Sequence, residues 1–257
     1  LQSLGVVNEG RAAVDQPGME LPVRVGDAAE DRDGGRAAGG REAGGRRPCG
    51  PTSGLRCGIL ARCLETRPSA VVFLFDSGGV RLQEANAGEI GVAEIIRSLL
   101  AVRASGIPVI GAVGGSCGCF GGAGIIAGCC DALVVSEEGR IGVSGPEVIE
   151  AGMGVDAFDS RDRALVWRTY GGKNRYLQGA AREIVENSIE AFRGAVLELL
   201  GSKPDDSLAA LEEEQKALED RFERFAGCRD GLEAWRKMGF REPEKIPAMT
   251  VAELKAA

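Results

Sequence analysis

Twice in this chain an apolar run that reads as a strand ends in paired glycines and passes at once into a helix-period pattern. The first unit is Ala70-Val71-Val72-Phe73-Leu74-Phe75, then Ser77-Gly78-Gly79-Val80-Arg81-Leu82-Gln83-Glu84, then a helical pattern from Glu84 to Leu100. The second is Pro108-Val109-Ile110-Gly111-Ala112-Val113, then Gly114-Gly115-Ser116-Cys117-Gly118-Cys119-Phe120-Gly121-Gly122 and an apolar helix. Glycines at a strand-to-helix junction allow a sharp turn and let N–H groups at the helix start face an anion. Two such loops imply a pocket lined by main-chain donors, suited to chemistry in which an oxygen gains negative charge.

Composition removes most rival chemistries. The chain has no histidine, which excludes Ser-His-Asp and Cys-His catalysis and any metal site that needs imidazole. A formal charge of −7 argues against general nucleic-acid binding. No run approaches the ~20 apolar residues of a membrane span, and no secretion signal is visible. The eight cysteines (49, 57, 63, 117, 119, 129, 130 and 228) include no C-x-x-C pair, and several sit in apolar context. They read as buried thiols in a reducing cytoplasm, with no metal expected.

Composition also divides the chain. Residues 1–67 contain no Phe, Tyr, Trp or Lys and include a Gly/Ala/Arg low-complexity run, so they are expected to be irregular or disordered. From residue 68 strands and helices alternate: strand 70–76, helix 84–104, strand 107–113, helix 121–130, strand 132–136, a fourth short strand at 139–143, and a helix opened by Gly145-Pro146. This is an α/β pattern with a covered, largely parallel sheet. Amphipathic helices are expected at 182–200 and 206–226, for packing or subunit association. Trp235, Met238, Phe240 and Met249 are expected to dock the tail on the body.

The dinucleotide fingerprint G-x-G-x-x-G is absent after the first strand, as are the P-loop and the G-x-S-x-G nucleophile elbow. Thioester enolate or tetrahedral chemistry fits the two glycine loops best. The bland alternative is that the glycines only make turns and close helix packing.

Residues 70–150 resemble the carboxyltransferase branch of the crotonase superfamily. The resemblance rests on Ser77 to Glu84, on Phe120-Gly121-Gly122, and on Ile141-Gly142-Val143-Ser144-Gly145-Pro146-Glu147-Val148-Ile149-Glu150, in the family's order and spacing. Gln83-Glu84-Ala85-Asn86, Gly118-Cys119-Phe120-Gly121-Gly122, Phe158-Asp159-Ser160-Arg161-Asp162-Arg163 and Trp167-Arg168-Thr169 are similar to the beta subunits of malonate decarboxylases. So are Cys228-Arg229-Asp230 and Ala234-Trp235-Arg236 near the end.

The resemblance implies a crotonase-like ββα superhelix with C-terminal helices, occupying 68–257. It implies decarboxylation of a malonyl thioester carried on the dephospho-CoA-derived arm of an acyl carrier protein, with no tightly bound cofactor. The implied partners are a gamma subunit, the acyl carrier protein and an acyl-carrier transferase subunit. Gly78, Gly79 and Val80, or Gly121 and Gly122, would hold the enolate oxygen. Arg81, Phe120, Ser144, Gly145 and Pro146 would bind substrate, although Arg81 could equally pair with Glu84 or Glu89. Glu84, Glu147, Tyr170 and the partner subunit are open candidates for the proton donor. The rivals are a biotin-dependent carboxyltransferase subunit, a non-catalytic thioester-binding scaffold and, less well matched, an enoyl-CoA hydratase-type enzyme.

The strands and Gly-Gly-Ser-Met-Gly-type loop that the family carries upstream of Ser77 are missing. Cys49-Gly50-Pro51-Thr52-Ser53-Gly54 stands in their place without apolar strands. A shifted reading frame in GC-rich DNA would give this composition. Translation of the neighbouring frame upstream of codon 68 is then expected to show alternating apolar strands; a frame with nothing strand-like would end that explanation.

Overall fold

The computed structural model describes residues 3–7, 50–79, 86–201 and 205–257. Its sheet holds β1 (Ser3–Val7), β2 (Ala70–Phe75), β3 (Val109–Val113), β4 (Ala132–Ser136) and β5 (Glu183–Val185), side by side in chain order. β1 is antiparallel to β2, and the other pairs are parallel, with Val71 opposite Val109, Ile110 opposite Ala132 and Val134 opposite Glu183. The helices are α1 (Gly50–Thr66), α2 (Asn86–Ala104), α3 (Gly122–Gly128), α4 (Pro146–Met153), α5 (Arg163–Tyr170), α6 (Gly172–Leu177), α7 (Ile189–Leu199), α8 (Leu208–Phe225), α9 (Gly231–Met238) and α10 (Val251–Ala256).

Strand alternation sorts the core into two faces. Val71, Phe73, Phe75, Val109, Val113, Val135 and Ile184 point one way, onto Leu60 and Cys63 of α1, Ile95, Leu99 and Val102 of α2, and Ala123 and Ile126 of α3. Ile110, Val134 and Val185 point the other way, onto Ala195 and Leu199 of α7. In that second cluster α7 meets β3, β4 and β5, and Leu74 of β2 is 44% exposed.

Beyond the strand ends lies a second layer, one residue wide. Ser77 bridges Cys119, and Cys119 bridges Ile141, both in parallel sense. The Ser77 N–H donates to Gly118 O (2.7 Å), the Cys119 N–H to Arg140 O (2.7 Å), the Phe120 N–H to Ser77 O (3.0 Å) and the Gly142 N–H to Cys119 O (3.1 Å). Each repeat thus contributes a long strand, a single bridging residue set beyond it, and a helix. This is the ββα repeat of a crotonase-like superhelix.

The expected strand at 139–143 is therefore reduced to bridges at Arg140 and Ile141, because the run has one ladder position rather than a strand's length. The expected helix 182–200 begins only at Ile189. Glu183–Val185 join the sheet, and the Ser188 hydroxyl caps α7 by accepting the Ala191 N–H (3.1 Å). The irregular segment expected over 1–67 is also corrected in part. Ser3–Val7 form a strand and Gly50–Thr66 a helix whose Leu60 and Cys63 are core residues, so the packed body begins before Pro68. Residues 8–49 lie outside the described residues.

The tail docks as expected. Trp235 is 1% exposed, and its indole N–H donates to Asn174 Oδ1 (3.1 Å), while Asn174 Nδ2 donates to Thr169 O (2.9 Å). Lys173 Nζ reaches the carbonyls of Pro247 (2.8 Å) and Met249 (2.6 Å). Arg168 pairs with Asp230, which also caps α9.

At Gly172 a Cβ would collide with the Ser136 carbonyl. Gly172→Ala is expected to lower stability by about 1–3 kcal/mol in urea unfolding. Gly152→Ala, in α4 with nothing within 4 Å of its Cβ position, should be neutral or stabilising by up to about 1 kcal/mol.

Candidate functional site

The bridge between Ser77 and Cys119 sets the two glycine loops side by side at the C-terminal ends of β2 and β3. Asp76 ties them further, its Oδ1 accepting the Cys117 N–H (2.7 Å), and a Cβ on Gly115 would overlap the Asp76 side chain. In the first loop Gly79 has φ 126°, a region that strongly favours glycine. Nothing lies within 4 Å of a Cβ at Gly78 or Gly79, and the Gly79 N–H makes only a long contact of 3.4 Å with Ser77 Oγ. Val80 and Arg81, with Glu84, lie outside the described residues.

The second loop separates its two candidates. The Gly121 N–H donates to Val143 O at 2.9 Å, so that donor is spent on the scaffold. Gly122 opens α3 as its first residue, where helix geometry leaves the N–H without an intrahelical acceptor. It fits tightly against Val92 of α2. Two open candidates in the first loop, Gly78 and Gly79, therefore face one in the second.

Phe120 is not a surface for substrate. It is 3% exposed and packs with Phe158, Val166 and Tyr170. Its ring meets the Tyr170 ring edge-on at 5.5 Å, and Tyr170 meets Phe158 at 6.0 Å. Gly142 backs onto the Tyr170 ring, which leaves no room for a Cβ. Burial pushes the Tyr170 phenol up, with the Arg175 charge acting against that and Glu147 adding to it. Arg175 donates twice to Ile141 O, at 3.1 and 2.9 Å, which fixes the third residue of the bridging layer. Ser144 and Gly145 are half-buried, and Pro146 is the buried first residue of α4.

Sequence reasoning missed a cavity of about 290 Å³ beside this layer, lined by Ser116, Arg140, Pro146, Glu147, Ser160, Arg163, Val166 and Trp167. Of the expected substrate-binding residues that are described, only Pro146 lines it. Another cavity, of about 260 Å³, shares Trp167 and is walled by Glu137, Glu138, Arg168, Lys173 and Trp235. There Arg168 is paired with Asp230 and Lys173 with Glu137. Among the described residues, no cluster of His, Cys, Asp and Glu could hold a metal ion, and no helix is long and apolar enough to cross a membrane.

Residues 58–218 match the carboxyl transferase domain family. The malonyl-S-ACP:biotin-protein carboxyltransferase of Malonomonas rubra is 38% identical over 199 residues, covering 75% of this chain and 62% of that protein. The chain thus spans less than two thirds of that curated relative's length. A Pseudomonas malonate decarboxylase hetero-tetramer solved in complex with malonate contains a chain 30% identical, with a TM-score of 0.63 over 72% of this chain and 68% of that one. A Pseudomonas malonate decarboxylase hetero-dimer matches at 28% identity and a TM-score of 0.54, over 66% of this chain and 72% of that one. The family match begins inside α1, upstream of the composition boundary at residue 68.

Seven cysteines are free thiols: Cys63 and Cys119 are buried, Cys57, Cys129, Cys130 and Cys228 half-buried, and Cys117 exposed, against the expectation that its apolar neighbours bury it. Cys49 lies outside the described residues. A disulfide-exchange reagent is expected to label Cys117 rapidly in the native protein and Cys119 only after unfolding. Burial pushes the Cys119 thiol from its usual 9.0 up to about 12. Its contribution to stability is therefore complete below pH 9.0 and falls as pH rises towards 12. Cys119→Ala should flatten that alkaline decline in urea unfolding.

Proposed function

The chain belongs to the carboxyl transferase domain family, and from that premise we propose that it is the beta-type subunit of a malonate decarboxylase, acting on a malonyl thioester. The observation that carries this reading is the pair of glycine loops held together by the Ser77–Cys119 bridge. As the C–C bond to the carboxylate breaks, its electron pair moves into the thioester, CO₂ leaves, and an enolate forms with its charge on the thioester oxygen. N–H groups of the first loop, at Gly78, Gly79 and Val80, or that of Gly122 in the second, stabilise that oxygen. Loss of one such donor typically costs about 3 kcal/mol of barrier. Gly121 serves as scaffold, since its N–H is engaged with Val143.

The enolate carbon then takes a proton. Tyr170 is packed among aromatic rings and Glu147 is exposed at the start of α4, which favours Glu147 or a group of the partner subunit as the source. The substrate is the malonyl group on the dephospho-CoA-derived arm of an acyl carrier protein, recharged by a separate transferase subunit. A gamma subunit completes the site. Assembly is supported by α8, none of whose residues is buried and whose Leu208, Leu211, Leu218 and Phe222 are exposed, Phe222 at 76%.

A second reading has its own support: the 38% identical Malonomonas rubra protein is named as a malonyl-S-ACP:biotin-protein carboxyltransferase. In that case the carboxyl group passes to biotin on a partner protein. CO₂ release from a malonyl thioester, measured on the chain purified with its co-assembling subunits, is expected to proceed equally with and without avidin. Avidin-blocked turnover would install the biotin-dependent reading. An intact assembly without turnover on a competent substrate would leave a thioester-binding scaffold.

A further inference from the structure

The cavity of about 290 Å³ beside the bridging layer carries an unusual pairing of charges. Two of its eight wall residues, Arg140 and Arg163, lie over the ring of another, Trp167, with guanidinium carbons 4.8 and 5.5 Å from the ring centroid. Stacking on an indole is favourable for each cation. It also brings two like charges to one ring, which repel unless an anion or a carboxylate lies between them. Two other part-buried arginines are neutralised, Arg103 by Asp131 and Asp206 (2.8 Å each) and Arg168 by Asp230 (3.1 Å), while Arg175 is held by the Ile141 carbonyl. Among the described residues, neither Arg140 nor Arg163 forms an ion pair.

Arg140 is held in place by donating to Ser116 O, 2.6 Å away on the second glycine loop, and its own carbonyl receives the Cys119 N–H of the bridging layer. Its Nε is buried without an acceptor, so the protein does not satisfy all the donors of this guanidinium. Arg163 is exposed at the start of α5. The wall thus sets one fixed and one solvent-facing guanidinium against a single carboxylate, Glu147. A planar fork of donors of this kind is suited to bidentate contact with carboxylate or phosphate.

We propose that this cavity is an oxyanion-binding site, in which Arg140 and Arg163 hold a phosphate or carboxylate group of the thioester substrate whose reacting carbonyl lies at the glycine loops. The assignment to that substrate rests on the proposed function; the anion site itself does not. A phosphate would come from the carrier arm, and a carboxylate from the malonyl group. Trp167 is a built-in reporter, since the only other tryptophan, Trp235, is 1% exposed and lines the neighbouring cavity but not this one.

The test titrates inorganic pyrophosphate and, separately, malonate into the chain assembled with its partner subunits, reading tryptophan fluorescence against a Trp167→Phe control. A saturable change that disappears in Trp167→Phe and weakens about tenfold in affinity in Arg163→Gln is expected. No saturable change, or an Arg163→Gln protein that titrates like the parent, overturns the site. The substrate assignment is read from KM. A rise of about tenfold in Arg163→Gln for malonyl-dephospho-CoA but not for malonyl-pantetheine, which lacks phosphate, identifies the phosphate as the group held. An equal rise for both identifies the carboxylate. Anion binding with KM unchanged for both overturns the substrate assignment alone. Anion binding by an assembly that turns over neither thioester overturns the proposed reaction and leaves the site standing.

Discussion

Everything at this site hangs on a run of backbone hydrogen bonds through single residues. Ser77, Cys119 and Ile141 each belong to a different repeat, and each is joined to its neighbour by main-chain N–H and carbonyl groups. The parallel sheet supplies the platform, but it is this narrow second layer that decides where the loops stop. Its contacts are short, with Cys119 buried and Ser77 and Ile141 half-buried, and a missing acceptor at Cys119 would leave a polar group without water, at about 1–3 kcal/mol. The layer therefore resists sliding. A shift at Cys119 would disturb the Gly118, Phe120 and Arg140 contacts together.

The side chains behind the layer serve the same end. Phe120, Tyr170, Phe158 and Val166 fill the space beneath the second loop, and Arg175 closes the far end by holding the Ile141 carbonyl. The tail reinforces this wall from outside through Asn174, Lys173 and Arg168, which lie on or next to α5 and α6. Thus residues far apart in the chain converge on the short segment between Arg140 and Tyr170. Trp167 sits at the junction, lining both cavities.

Much of the sheet was legible because β2, β3 and β4 are largely apolar runs, the first two followed by Asp76 and Gly114 and the third preceded by Asp131, and α8 shows a sustained helical period. β5 was not, since Glu183-Ile184-Val185 is too short to display a period and leads directly towards α7. The signal that would have separated them is Ser188, a hydroxyl cap three residues before Ala191. Asp162, Asp230 and the Thr250/Glu253 capping box would likewise have placed α5, α9 and α10. α1 escaped notice because Gly and Arg dilute its pattern, leaving Leu60 and Cys63 to carry its burial. Within the site, the glycine loops were readable from local chemistry. The loss of the Gly121 donor to Val143 was not, and neither was the meeting of Arg140, Arg163 and Trp167, because both depend on which distant segments become neighbours.

The glycine loops also determine what kind of information the site stores. A catalytic side chain is deleted by almost any substitution; a main-chain N–H is deleted only by proline. Alanine scanning, which works by removing atoms, adds one at Gly79 and Gly122, where it meets a left-handed torsion in the first case and the Val92 side chain in the second. Proline aside, heredity can thus lose these main-chain donors only through torsion angle or crowding, not through subtraction of a side-chain group. Among variant sequences its integrity would be written in the spaces left empty.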